Sequence, residues 1–256
     1  MRITIITQAR VGSNRLPNKV LLKINNYSLL KIHLKRLKKS KLAREIILAT
    51  TFEKGVDEIL EIGKTEGIKC YQGSMDDVLD RFYKSVESIK PDYVVRVTSD
   101  CPLVDPLLID EIIFFAIKNN VDYCSNVLVQ NFPDGQDVEV FRFSSLKHAW
   151  ENAKLKSERE HVTPYIINNS DFYKMNIFSS LNYSHNINKD YSKVRMTVDE
   201  TVDYNAMKLL IEKKGIDLKW DEYADFILKN PNLFLNQNIT RNQSYLNQLE
   251  IEKNEK

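Results

Sequence analysis

Two kinds of apolar pattern alternate along the first half of the chain. Short apolar runs occur at Arg2–Thr7, Glu45–Thr50, Ile68–Gln72, Asp92–Thr98 and Val121–Val127. Runs of this length and composition suit strands buried on both faces. Between them apolar residues recur every three or four positions, at Ser28–Ser40, Val56–Glu66 and Leu107–Asn119. That period predicts amphipathic helices, the first with a basic outer face, and the second closed by Gly67 as a C-cap. Three strand–helix units before Tyr83 predict a mainly parallel, twisted sheet with helices on both faces, an α/β fold of three layers.

The rhythm breaks in the second half. Pro133-Asp134-Gly135 reads as a turn, and Asp137, Glu139 and Phe141 then alternate with Val138 and Val140. Such alternation predicts a half-exposed strand with Asp137 and Glu139 on one face. Helices are expected at Leu146–Leu155, Thr201–Lys214 and Asp221–Asn230, and a returning strand at Tyr191–Glu200. Residues 168–190, rich in Asn, Ser and Tyr, read as irregular hairpins. Residues 236–256 are dominated by Asn, Gln, Lys and Glu and read as a partly ordered tail after a domain spanning 1–235.

Composition narrows the function classes. The chain has 256 residues, 43% hydrophobic and 28% charged, enough for one large α/β domain. Lys+Arg 37 against Asp+Glu 35 leaves a net charge of +2, which argues against a nucleic-acid binder with a wholly basic face. Cys70, Cys101 and Cys124 show no pairing pattern and read as thiols of a reducing compartment. No apolar run approaches the roughly 20 residues of a membrane span, so a soluble, cytoplasmic protein is expected.

The chemistry concentrates where strands end. After the first strand comes a loop holding Arg10, Gly12, Ser13, Arg15 and Pro17, with Lys19 just beyond. Glycine allows close backbone approach to an oxygen, and guanidinium groups grip phosphate with paired hydrogen bonds, so the loop suits a polyanion. A solvated basic loop is the plainer alternative. Neither GxGxxG nor GxxxxGK[ST] is present, which excludes the common dinucleotide and Walker signatures. Asp100 follows the central strand, either as a turn former or as a metal-binding carboxylate. Ser74 could cap the helix after it, and Arg81 could be a surface cation. Asp137 and Glu139 could be edge charges that protect a strand from pairing. His161 is the one histidine of four in a polar cluster, Ser157–Ile166.

Several of these stretches together resemble one family. Gln8-Ala9-Arg10-Val11-Gly12-Ser13-Asn14-Arg15-Leu16-Pro17-Asn18-Lys19-Val20-Leu21 is similar to the nucleotide-binding signature of the sugar-acid cytidylyltransferases, nearest the spore-coat polysaccharide branch. Val11, Asn14 and Asn18 depart from it without removing a basic group. The runs Gly73–Arg81, Thr98–Pro106, Pro133–Phe141, Arg159–Ile166 and Arg195–Asp199 resemble further segments of that family.

The resemblance implies the nucleotide-diphospho-sugar transferase (GT-A-like) fold, with 168–190 as a protruding dimerisation arm and a homodimer as the working form. It implies transfer of CMP from CTP to a sugar acid or related acceptor, with pyrophosphate leaving, for surface glycan synthesis. Gln8, Ala9, Arg10, Gly12, Ser13, Arg15, Lys19, Thr50, Thr51, Arg81, Ser99 and Asp100 would bind nucleotide. Arg10, Arg15, Lys19 and Asp100 would be catalytic, with Mg²⁺ on Asp100 and Asp199. Asp137, Glu139, Arg159 and His161 would face the acceptor, whose carboxylate would be held by Arg159 or Arg195. A nucleotide-sugar-dependent glycosyltransferase is the main alternative, though Asp100-Cys101-Pro102 is not the DxD it would use. Use of another nucleoside triphosphate, or a catalytically inactive binding protein on the same fold, also stays open.

Overall fold

The computed structural model describes residues 1–13 and 15–254. Its strands are β1 Ile3–Gln8, β2 Lys23–Ile24, β3 Tyr27–Ser28, β4 Glu45–Thr50, β5 Lys69–Gln72, β6 Tyr93–Thr98, β7 Tyr123–Ser125, β8 Glu139–Arg142 and β9 Ser180–Asn182. Its helices are α1 Leu29–Leu37, α2 Asp57–Thr65, α3 Val78–Val86, α4 Pro106–Asn119, α5 Phe143–Asn152, α6 Lys156–His161, α7 Pro164–Asn168, α8 Thr201–Lys214, α9 Trp220–Lys229 and α10 Gln243–Asn254.

Seven strands form one sheet in the order β5-β4-β1-β6-β8-β7-β9, with β2 and β3 a separate hairpin. β1 pairs in parallel with β4 and β6, β4 with β5, and β7 with β9, while β8 runs antiparallel between β6 and β7. The pleat sorts side chains between two cores. Ile5, Leu48, Val95 and Val140 enter one face, and Ile6, Ile47, Val94 and Phe141 the other. A strand with both faces covered has no polar side, which is why β1, β4 and β6 read as continuous apolar runs.

The second half differs from its sequence reading for reasons of tertiary packing. β8 is interior rather than half exposed, and Glu139 is only 4% exposed. The edge-protection reading of its charges therefore fails. Tyr191–Glu200 forms no strand ladder; a turn at Ser192–Lys193 is followed by an isolated parallel bridge between Asp134 and Arg195. Gly135 permits that approach: it has φ +105°, and a Cβ there would meet the Met196–Thr197 backbone at 2.7–2.8 Å. Within 168–190, β9 is integrated into the main sheet as its edge strand. Within the 236–256 tail, Gln243–Asn254 forms the helix α10.

Charged residues also enter the core. On α1, expected to turn its basic residues outward, Arg36 is 2% exposed and donates to the carbonyls of Val104, Ile216 and Leu218. Burial lowers its pKa, and the three carbonyls satisfy its donors. His33, fully buried on the same helix, lies 2.9 Å from Thr7 Oγ1 and 3.0 Å from the Cys101 carbonyl. It thereby ties α1 to β1 and to the loop that carries Asp100.

Candidate active site

β1 and β6 run side by side in register, Gln8 opposite Thr98, so the loops that follow them open at the same end of the sheet. Ligands of open α/β sheets bind at this end. A cleft of about 600 Å³ lies there. It is lined by Gln8, Ala9, Arg10, Ser13, Arg15 and Lys19 from the β1 side, and by Arg81, Ser99 and Asp100. Asp137, Glu139, His161 and Asp199 complete the expected residues that reach it.

Lys19 is the hub of the basic loop. Its Nζ donates to Asp100 Oδ2 at 2.9 Å and to Asp199 Oδ1 at 2.8 Å. Burial opposes the charges of Lys19 and Asp100. The lysine nevertheless holds Asp100 well below the usual carboxylate range, helped by hydrogen bonds from Thr98 and Cys101. Reciprocally, Lys19 is raised by the two aspartates against the burial that would lower it. Arg15 adds an ion pair to Asp199 at 3.0 Å. Asp199 is set in place from behind, since Asp203 accepts from the Asp199 and Glu200 amides at 3.0 and 3.1 Å and from Arg195.

Two arginines on the cleft wall lack such partners. Arg81, 1% exposed on α3, gives one hydrogen bond to the Ser74 carbonyl, and its Nε has no partner among the described residues. Arg10, exposed on the loop, makes neither hydrogen bond nor ion pair among the described residues. Burial, with Arg10 nearby, lowers Arg81 to about 10. An arginine taken out of water without a counter-charge is costly, and an anion in the cleft would relieve that cost.

The far side of the cleft alternates charge. Arg96 pairs with Glu139, and Arg241 with Asp137. Glu139 also accepts from Tyr123 and Thr163 hydroxyls at 2.8 and 2.6 Å. Burial raises the Asp137 pKa, opposed mainly by Arg241. Burial together with Asp137 pushes Asp134 up to about 7, although Arg195 donates to it at 2.6 Å. His161 Nε2 has no partner, its ring meets Tyr245 edge-on at 4.9 Å, and burial lowers it to about 4.

Several expected residues do other work. Gly12 does not line the cleft; its N–H donates to Glu53 Oε2 at 2.8 Å. Thr50 and Thr51 are fully buried outside the cleft, and the Thr51 hydroxyl donates to Glu53. Ser99 lines the cleft, but its hydroxyl is spent on the Gln8 carbonyl at 2.6 Å. Arg159 forks onto Asp77 at 2.5–3.0 Å, donates to the Trp150 carbonyl and does not line the cleft. Arg195 is buried among Asp134, Asp199 and Asp203 and likewise does not line the cleft. Asp77, not Ser74, is the N-cap of α3, accepting from the Asp80 amide.

Some cleft residues had weak signals in the sequence. Arg96 interrupts the apolar run Tyr93–Thr98, and a charge inside a two-face-buried strand marks a site. Asn242, Tyr245 and Asn247, with Arg241 behind the lining on Asp137, come from the polar C-terminal stretch, whose composition hid them. Among the described residues no group of three or more His, Cys, Asp or Glu could hold a metal, and no helix is long and apolar enough to cross a membrane.

Comparison with known proteins identifies a family for the chain. A family model described as cytidylyltransferase matches residues 4–249. An uncharacterized protein of Methanocaldococcus jannaschii is 40% identical over 252 residues, covering 96% of this chain and 98% of its own. The spore coat polysaccharide biosynthesis protein SpsF of Bacillus subtilis is 33% identical over 236 residues, covering 90% of this chain and 95% of its own. A cytidylyltransferase structure from Leptospira borgpetersenii superposes with a TM-score of 0.85 at 31% identity, over 94% of this chain and 100% of that one.

Proposed function

The chain belongs to the cytidylyltransferase family, and we propose that it transfers CMP from CTP to a hydroxyl of a sugar acid or related acceptor. The acceptor oxygen attacks the α-phosphorus, the bond from that phosphorus to the bridging oxygen breaks, pyrophosphate leaves, and the hydroxyl proton passes to solvent or a cleft carboxylate. The observation that carries this reading is the pair Arg10 and Arg81, two guanidinium groups lining one cleft with no ion-paired carboxylate on either among the described residues. A cleft of about 600 Å³ suits a nucleotide.

In this reading Arg10, Arg15 and Lys19 hold the triphosphate and offset the negative charge that grows on the leaving pyrophosphate. Gln8, whose side-chain oxygen is buried without a partner among the described residues, can accept from the amino group of cytosine. Asp100 and Asp199 fit a hard divalent cation, because both are oxygen donors that reach a single point, the Lys19 ammonium, and Asp100 is held ionised. Mg²⁺ bound to them would neutralise phosphate charge and acidify the acceptor hydroxyl. Asp137, Glu139 and His161 face the acceptor. Arg96 and Arg241, each now paired to a carboxylate of the chain, are the cations an acidic acceptor would draw. Exposed Phe172, Tyr173, Met175 and Ile177 give a second copy of the chain an apolar face to cover, and light scattering would report the dimer.

Thermal shift with CTP, UTP, ATP and GTP, each with Mg²⁺, tests the nucleotide. A ligand at about 100 times its Kd adds about 2.7 kcal/mol of stability. CTP alone should stabilise, and pyrophosphate should appear only with a competent acceptor. Stabilisation by a different nucleotide would move the enzyme to another donor. Release of a nucleoside diphosphate from a nucleotide sugar would replace this reading with glycosyl transfer.

A further inference from the structure

Glu53 follows β4 and does not line the cleft, yet its carboxylate is committed to the backbone of the basic loop. Oε1 accepts from the Val11 N–H at 2.7 Å and Oε2 from the Gly12 N–H at 2.8 Å. The Thr51 hydroxyl donates to Oε1 at 2.8 Å and fixes the carboxylate from the β4 side. One carboxylate gripping two successive amides sets both peptide planes next to Arg10, much as a backbone nest grips an anion. A Cβ at Gly12 would stand 2.7 Å from Glu53 Oε2, so the absence of a side chain there is what admits the clasp. The charge of Glu53 also favours the protonated form of Arg81, against the repulsion from Arg10.

We propose that Glu53 is a positioning residue for the triphosphate end of the site. It locks Val11 and Gly12 so that Arg10 and Ser13 already face the cleft when the nucleotide arrives. Ordering the loop in advance removes a cost that binding would otherwise bear. The inference rests on the nucleotide reading above.

Calorimetric titration of the full chain with CTP, inorganic tripolyphosphate and CMP tests it, on wild type, Glu53→Ala, Glu53→Asp and Gly12→Ala. Glu53→Ala should raise the Kd of CTP and tripolyphosphate about tenfold while changing that of CMP by less than about twofold. Gly12→Ala should give the same pattern from the other end of the clasp, and the double variant should be no worse than either single one. Glu53→Asp should recover part of the loss. Should Glu53→Ala fail to fold, Gly12→Ala carries the same comparison. An equal loss for CMP and tripolyphosphate would mean ordinary structural support and would overturn the proposal. So would CTP binding by Glu53→Ala that matches or exceeds wild type, the result expected if the carboxylate merely occupies a phosphate's place. A wild type that binds neither CTP nor tripolyphosphate overturns the nucleotide reading itself, whereas wild-type binding with unchanged variants overturns only the role of Glu53.

Discussion

Lys19 donates to Asp199 at 2.8 Å across 180 residues of chain. The same ammonium holds Asp100 at 2.9 Å, so two carboxylates from distant segments meet at one atom beside the cleft. Asp100→Asn keeps an oxygen acceptor for Lys19 but removes a charge. The fold should survive, and Mg²⁺-dependent pyrophosphate release should fall by roughly 10²-fold or more. Normal turnover in that variant would refute the metal role.

Arg81 is the opposite case, a buried cation with no ion pair among the described residues, Glu53 and Asp77 acting on its charge only from farther off. Replacing such a group with an apolar side chain of similar size is often neutral or stabilising. Arg81→Met should therefore leave the melting temperature of the free protein unchanged or higher, and should abolish the shift produced by CTP. A large loss of stability without ligand would show that the Ser74 contact, rather than an awaited anion, explains the residue.

Arg159 and Asp77 should behave as a structural pair. Their side chains are 22% and 33% exposed, so solvent screens the interaction. A double-mutant cycle on unfolding free energy should give a coupling of about 1 kcal/mol. Arg159→Ala should retain the CTP-induced shift. If that shift disappears while stability holds, the residue belongs to the site after all.

Acid should destabilise the protein through His33. Burial lowers its folded pKa to about 4, against about 6.5 in the unfolded chain. Between those values the unfolded state binds more protons. Stability is thus full above about pH 6.5 and is lost as pH falls toward 4. His161 acts in the same direction. Urea midpoints measured from pH 7 to 4.5 should fall less steeply for His33→Gln than for wild type; parallel curves would remove His33 from the account.

The C-terminal helix should shield His161. Tyr245 packs on the imidazole, Arg241 pairs with Asp137, and Glu252 accepts from the Ser157 amide and hydroxyl at 2.6 and 2.7 Å. A chain ending at Thr240 should admit water and raise the His161 pKa from about 4 toward 6.5, as read by NMR titration of the ring protons. An unmoved titration would mean that α6 and the sheet alone bury it.

Local pattern by itself determined the first half of this protein. β1, β4 and β6 lie where the apolar runs are, because a strand with both faces covered needs no alternation and little help from distant residues. The basic loop after β1 and Asp100 after β6 were legible for the same reason: chain order in a parallel sheet puts both at one end. Tertiary structure alone decided the pairings. Arg10, Arg15, Arg81, Arg159 and Arg195 are one residue type, yet their roles follow from which carboxylate lies within reach. Asp77 claims Arg159, Asp203 claims Arg195, and Arg81 has none among the described residues. The same holds for the polar stretch from Arg241 to Asn254, with little apolar periodicity, which becomes a cleft wall as Arg241 reaches Asp137 and α10 packs on α6. Composition records how much apolar surface a segment can bury, whereas an ion pair depends on a separation of a few ångströms that only the folded chain sets.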